Sequence, residues 1–387
     1  MSQTHTIQQL IDLRFNQLFI SVKAALLSAS FDGEATSCII ELEQSKTIRS
    51  LLRVEKQAIR EKDLNKRLEQ SYLKETRSHV DLEVKSRLIA SLKDVDTLYN
   101  KVLQVDEKLP ELLDVLSMRA STISKIEIAA EKIPWLYQDL IKMVNMPKYR
   151  RTDNKGKVVV VENLRVALNF FGIDNLKPVI LSLAMRRWLP QITDPYPQLK
   201  VSIREQSMAT AVACKQIASL SKVNEAQAFS LGMLHIVGKI IIVRLYFRLF
   251  EVVRREALLE AQANQKQQQH LALTRIEPSG EFLTYLLEEL AMSVSSDMIK
   301  KMDLRRLFIT NAMQEFADHT PLQDMSPMAR VLYQGHAYAK YRMLKARKLI
   351  DLQQSKDFLR TLHLPPGALA LLKTTDIRSL NLVLENK

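Results

Sequence analysis

Glycine is scarce in this chain: 8 of 387 residues, about 2% where roughly 7% is usual. Loops that cradle phosphate and dinucleotide folds depend on closely spaced glycines, so neither is expected. Only two cysteines occur, Cys38 and Cys214, without a CxxC pair. A disulfide framework and a structural zinc knuckle are excluded on number. The opening MSQTHTIQQLIDLRF has no basic segment followed by an apolar one, so no secretory signal is read and a reducing, cytoplasmic location is expected. No apolar run is long and unbroken. The most apolar stretch, 226–250, is interrupted by His235, Lys239, Arg244 and Arg248. A membrane span needs about 18 consecutive apolar residues. The stretch therefore reads as a buried helix, and no membrane contact is expected.

Aromatics make up 6% of the chain, so the core must lean on Leu, Ile, Ala, Val and Met, which favours helices. Net charge is +13, with a pI near 9.5. Most of it is interleaved with acids, as in EKQAIREKDLNKRLEQ (55–70), the pattern of a solvated helix face. Two stretches are locally basic, PKYRRTDNKGK (147–157) and HAYAKYRMLKARK (336–348). Solvation is their first reading and nucleic-acid contact their second.

An amphipathic helix is expected over 5–30, with Ile7, Leu10, Ile11, Phe15, Leu18 and Phe19 on one stripe, and a turn at SASFDGEATS (28–37) around Gly33. A long polar helical stretch follows at 39–104, with Leu64, Leu68, Tyr72, Leu88, Leu92, Val95 and Leu98 at helical spacing. No clean heptad runs through it, leaving a hairpin, a coiled-coil homodimer or the next domain as its packing partner. Composition changes at 105–110, giving an N-terminal helical region (1–104), a partner-binding or dimerisation arm, and a helical domain (105–387). Within the latter, helices are expected at 175–189, 202–220, 224–250, 251–268, 277–291, 295–301, 303–317 and 326–347, among others. Six prolines, Pro178 included, fall at or near helix starts. Only VVVVE (158–162) looks strand-like, and it could equally begin a helix.

The segment AFSLGMLHIVGKIII (228–242) resembles the apolar-apolar-His-Asp-x-Gly-Lys signature of the HD phosphohydrolases. KLPELLDVL (108–116), KIPWLYQDLIKMVNM (132–146) with Asn145, VENLRVALNFFGIDNLKPVILSLAMR (161–186), EQSMATAVACKQIA (205–218), SPMARVLYQGHAYAKY (326–341) and LHLPPGALALLK (362–373) are similar, in order and spacing, to HDOD (HD-related output) domains. The resemblance covers about 105–375. It implies an all-α fold, an HD-superfamily-like multi-helix bundle preceded by an N-terminal helical region, and a place in bacterial signal transduction.

The departures fall on the positions where the family holds divalent metal. Its first His is Gln206 here, and Ile236 replaces the Asp beside His235. Another His corresponds to Glu277, and the last-helix Asp corresponds to Tyr338. His235, Gly238 and Lys239 remain. No metal, cofactor or catalytic residue is therefore expected. His235 reads as a core or pocket histidine, with a residual metal ligand helped by Glu277, Glu281 or His270 as the other reading. Lys239 reads as a buried stem with an exposed head, phosphate contact being its alternative. Gly238 reads as a site of close helix approach. His319 and His336 have no matched ligand partners in the sequence.

Three functions follow from this. The first is a non-catalytic output or scaffold module working through contacts with an unidentified signalling protein. The second is a metal-dependent phosphohydrolase acting on a nucleotide or cyclic dinucleotide. The third is nucleic-acid binding through the basic stretches.

Overall fold

The computed structural model describes residues 6–22, 25–26, 53–118, 120–149, 151–152, 158–380 and 382. The expected turn at 28–37, Gly33, Cys38 and the first part of the 39–104 stretch lie outside these residues. The described chain is all-α. In order the helices are α1 (Ile7–Ile20), α2 (Arg53–Leu92), α3 (Lys108–Val115), α4 (Ile123–Glu131), α5 (Pro134–Val144), α6 (Leu164–Phe171), α7 (Ile173–Trp188) and α8 (Gln198–Leu220). Then follow α9 (Glu225–Leu234), α10 (Val237–Ala263), α11 (Gln267–Arg275), α12 (Gly280–Lys301), α13 (Thr310–Ala317), α14 (Pro327–Ala346), α15 (Leu352–Thr361) and α16 (Ala368–Thr374). A three-residue helix (Val95–Thr97) and a π-helical turn (Leu98–Leu103) join α2 to α3.

Among the described residues the only strands are Arg151–Thr152 and Val158–Val159, paired antiparallel. Asn145 pins the chain just beyond them, its amide donating to the Val161 carbonyl (2.8 Å) and accepting from the Val161 N–H (2.9 Å).

The apolar stripes close into one core. Leu113, Leu140, Leu168, Leu181, Leu231, Leu234, Val237 and Ile241 are all at most 1% exposed. The stretch Glu225–Ala263 is long and apolar enough to cross a membrane, yet 94% of its most apolar window is buried inside the protein. It packs under α2, α8, α12 and α14 as a central helix.

Several helix boundaries differ from the sequence reading. The break expected at 250/251 is absent, because Phe250 and Val253 are buried and carry the apolar stripe through. The break instead lies at His235–Ile236, where Ser295 substitutes for the lost helix bonds. Its Oγ donates to the His235 carbonyl (2.6 Å) and accepts from the Gly238 N–H (2.8 Å). Segments 277–291 and 295–301 fuse into α12, since Ser293, Ser295 and Ser296 satisfy their hydroxyls without interrupting the backbone ladder. The helix expected over 303–317 starts only at Thr310. Pro178 sits inside α7 rather than at its start.

α1 is built into the bundle. Ile11, Phe15, Leu18 and Phe19 are at most 2% exposed, and Arg14 donates to the Leu349 carbonyl (2.9 Å) and Gln354 Oε1 (2.8 Å). α2 divides in two. Leu64 and Leu68 are 57% and 60% exposed, whereas Val80, Val84 and Leu88 are buried on the part of α2 where Arg87 pairs with Glu256 of α10 and Lys85 with Glu289 of α12.

Candidate functional site

His235 follows the last turn of α9 and is wholly buried. Its Nδ1 lies 2.6 Å from the Gly232 carbonyl. A carbonyl oxygen only accepts, so Nδ1 carries the proton and Nε2 is the acceptor. That acceptor faces His336 Nδ1 at 3.2 Å, across an edge-to-face ring contact of 5.1 Å. His336 must then donate from Nδ1, which leaves its own Nε2 as an acceptor. Burial holds both imidazoles neutral. The His235 pKa falls to about 3, and that of His336 falls well below the usual histidine value, with Lys340 adding to the effect.

One turn along, Lys239 Nζ donates to Gln206 Oε1 at 3.1 Å. The ammonium also lies over the rings of Phe19 (4.6 Å) and Phe15 (5.6 Å) from α1. Its head is buried, contrary to the exposed head expected from sequence, because α1 covers it. Desolvation first, and the Lys340 charge second, lower its pKa to about 7. Ile236 is fully buried. Gly238 is required: a Cβ there would overlap the Ala291 carbonyl and the Ser295 backbone and hydroxyl.

The structure thus brings together Gln206, His235 and Lys239. It does not bring in Glu277, which is exposed at the start of the turn leading to α12. Nor does it bring in Tyr338, whose hydroxyl accepts from Arg342 (3.2 Å). From α14 the residue that meets His235 is His336, two positions earlier. The sequence offered a signal for it, a histidine in an otherwise apolar helical stripe, but no spacing that tied it to His235.

Outside this pair a cleft of about 390 Å³ opens, lined by Asp12, Lys239, Glu288, His319, His336 and Lys340, among others. Its carboxylates are committed, Asp12 to Lys340 (2.7 Å) and Glu288 to Asn16. A divalent ion in the family's position would need several anionic or imidazole donors. Here it would meet one available imidazole nitrogen, a neutral amide and an amine of pKa about 7. The residues present do not fit a metal. Among the described residues no group of three or more His, Cys, Asp or Glu side chains is placed to hold one.

Comparison with known proteins is consistent with the segment order seen above. No curated protein matches the chain. Similar solved structures include a candidate phosphohydrolase from Shewanella amazonensis SB2B, at 15% identity and TM-score 0.47, covering 74% of this chain and 94% of that one. A candidate signal transduction protein from Marinobacter aquaeolei VT8 aligns at 15% identity and TM-score 0.44, covering 76% and 66%. The HDOD domain family matches residues 104–284, the span that contains Gln206, His235 and Lys239. Over that span the chain is similar to the HDOD domain family.

Proposed function

We propose that the protein is a non-catalytic output or scaffold module of bacterial signal transduction, acting in the cytoplasm through contacts with other proteins. One observation carries the reading. At the positions where the family holds metal, a neutral amide, Gln206, and a buried Ile236 stand beside a His235 whose two nitrogens are already engaged. Neither an amide nor an isoleucine supplies the anionic or imidazole donor that the ion of hydrolytic chemistry would require. The well-filled helical core around it supports a role for the fold as a rigid platform.

The test is metal content together with phosphodiesterase and phosphatase turnover, on the parent and on Ile236→Asp. Neither protein should carry stoichiometric Fe, Mn or Zn, and neither should turn over a nucleotide or cyclic dinucleotide. Ile236→Asp should instead lose about 3 kcal/mol of stability, because it buries an unpaired carboxylate. Tight metal with turnover in the parent would overturn the reading.

A further inference from the structure

A second concave surface lies on the other side of α8 from Gln206. It is a groove of about 710 Å³ between α5, α7 and α8, closed at one end by residues 378–380. Five methionines from four elements line it: Met143, Met146, Met185, Met208 and Met233. Met185 and Met233 are 5% and 1% exposed and form the floor, while Met146 is 39% exposed at the edge. Five of the chain's 14 methionines therefore meet in one place. Thioether side chains are unbranched and polarisable, and they remould to fit helical ligands of varied shape.

The rim is cationic. Lys142, Lys148, Arg186, Arg204 and Arg378 are exposed around it. Lys142, Arg186 and Arg204 have no carboxylate partner among the described residues. Of the two acids in the lining, Glu205 is already neutralised by Arg347 at 2.6 Å, leaving Asp139. Lys148 belongs to the first basic stretch of the sequence and Arg347 to the second, so a cation from each lines this groove.

We propose that the groove docks an acidic amphipathic helix of another protein, its apolar face on the methionines and its carboxylates against the rim. The proposal rests on the protein-contact reading above and names the partner's chemistry. A second copy is disfavoured as occupant because each chain carries a net charge of +13. Single-stranded nucleic acid binds over successive aromatic platforms, and this lining offers one aromatic, Tyr149. Helix-in-groove recognition instead asks for apolar pockets at helical spacing with a charged rim.

The probe is a synthetic helical peptide of about 18 residues, long enough for several turns, with Leu and Phe at i, i+3, i+4 and i+7 and Glu elsewhere. Protein carrying 13C-labelled methionine methyls reports binding directly. The groove methyls should shift on titration and the remaining ones should not. The double variant Arg186→Glu, Arg204→Glu should weaken binding at least tenfold, and so should Met146→Glu. The charge-matched Lys62→Glu, Lys66→Glu, on the exposed part of α2, should change it less than twofold. The unbound methyl spectrum shows whether each variant is folded. The proposal is overturned by an absence of shifts at the groove, by equal binding of the peptide with Lys in place of Glu, or by an equal loss in the charge-matched variant. Tighter, salt-steep binding of oligothymidine, lost with the same groove variants, would make the groove a nucleic-acid site instead. A groove that binds nothing, in a protein without turnover, removes this proposal and leaves the non-catalytic reading in place.

Discussion

Helix α8 borders two concave regions of opposite character. Gln206 faces the pocket of His235 and Lys239, where the polar groups are buried, paired to one another and held largely uncharged. Arg204 and Met208, two residues to either side, face a groove whose cations are exposed and whose apolar lining is rich in methionine. In the first region Gln206 Oε1 is bonded to Lys239 while its buried Nε2 has no hydrogen-bond partner, and α1 is packed over it. The second has unpaired charge and adaptable apolar surface. The difference teaches where unpaired charge and apolar surface stay accessible in this protein: on the surface that its helices leave open, not in the buried cluster around His235.

Substitutions should reproduce this contrast in stability. The largest effect is expected for Gly238→Leu, which forces a side chain into the Ala291 and Ser295 backbone. Overpacking against backbone that cannot retreat should cost more than about 4 kcal/mol and leave little folded protein by urea denaturation. Normal stability of this variant would mean that α10 and α12 are not in contact there. Leu234→Ala, in the same wall and 0% exposed, should lose about 2–5 kcal/mol, and a loss below about half a unit would place that helix elsewhere.

A smaller effect, with a pH signature, is expected for Lys239→Met. The lysine's folded pKa of about 7 lies below its unfolded value of 10.5. Between those values the unfolded chain holds the proton and the folded chain does not, so folding stability rises with pH across that window. Below about pH 7 the charged amine stays buried and its cost is full. Methionine removes that cost, while Gln206 loses its donor. The net gain should be about 1–2 kcal/mol at pH 6 and should fade by pH 10, as read from melting temperatures at each pH. A gain independent of pH would show that Lys239 does not titrate in the pocket. At the other extreme, Met146→Ala in the groove should stay within about 0.5 kcal/mol of the parent. A larger loss would mark this edge of the groove as core.

Helix type and core faces were legible in the sequence because helical periodicity is local: Ile11, Phe15, Leu18 and Phe19 declare one face of α1 within three turns. Boundaries were less legible where the deciding partner is remote. The break at His235–Ile236 depends on the hydroxyl of Ser295, and the continuity of α12 depends on where its serines find acceptors. The strand at Val158–Val159 was visible as a β-branched run, its partner Arg151–Thr152 was not.

At the candidate site, the sequence by itself determined which donor atoms are on offer. Ile236 has none and Gln206 is a neutral amide wherever the chain folds, since side-chain chemistry is fixed by residue identity. Tertiary structure decided what replaced the metal position. It set His336, 101 residues away, rather than Tyr338 against His235, and it buried the Lys239 amine under two phenylalanines of α1. It also gathered methionines from separate helices, and cations from two distant basic stretches, around one groove. Spacing along the chain cannot encode such meetings. They depend on the crossing of packed helices, where one residue of register turns a side chain by about 100° around the axis and so from one neighbour to another.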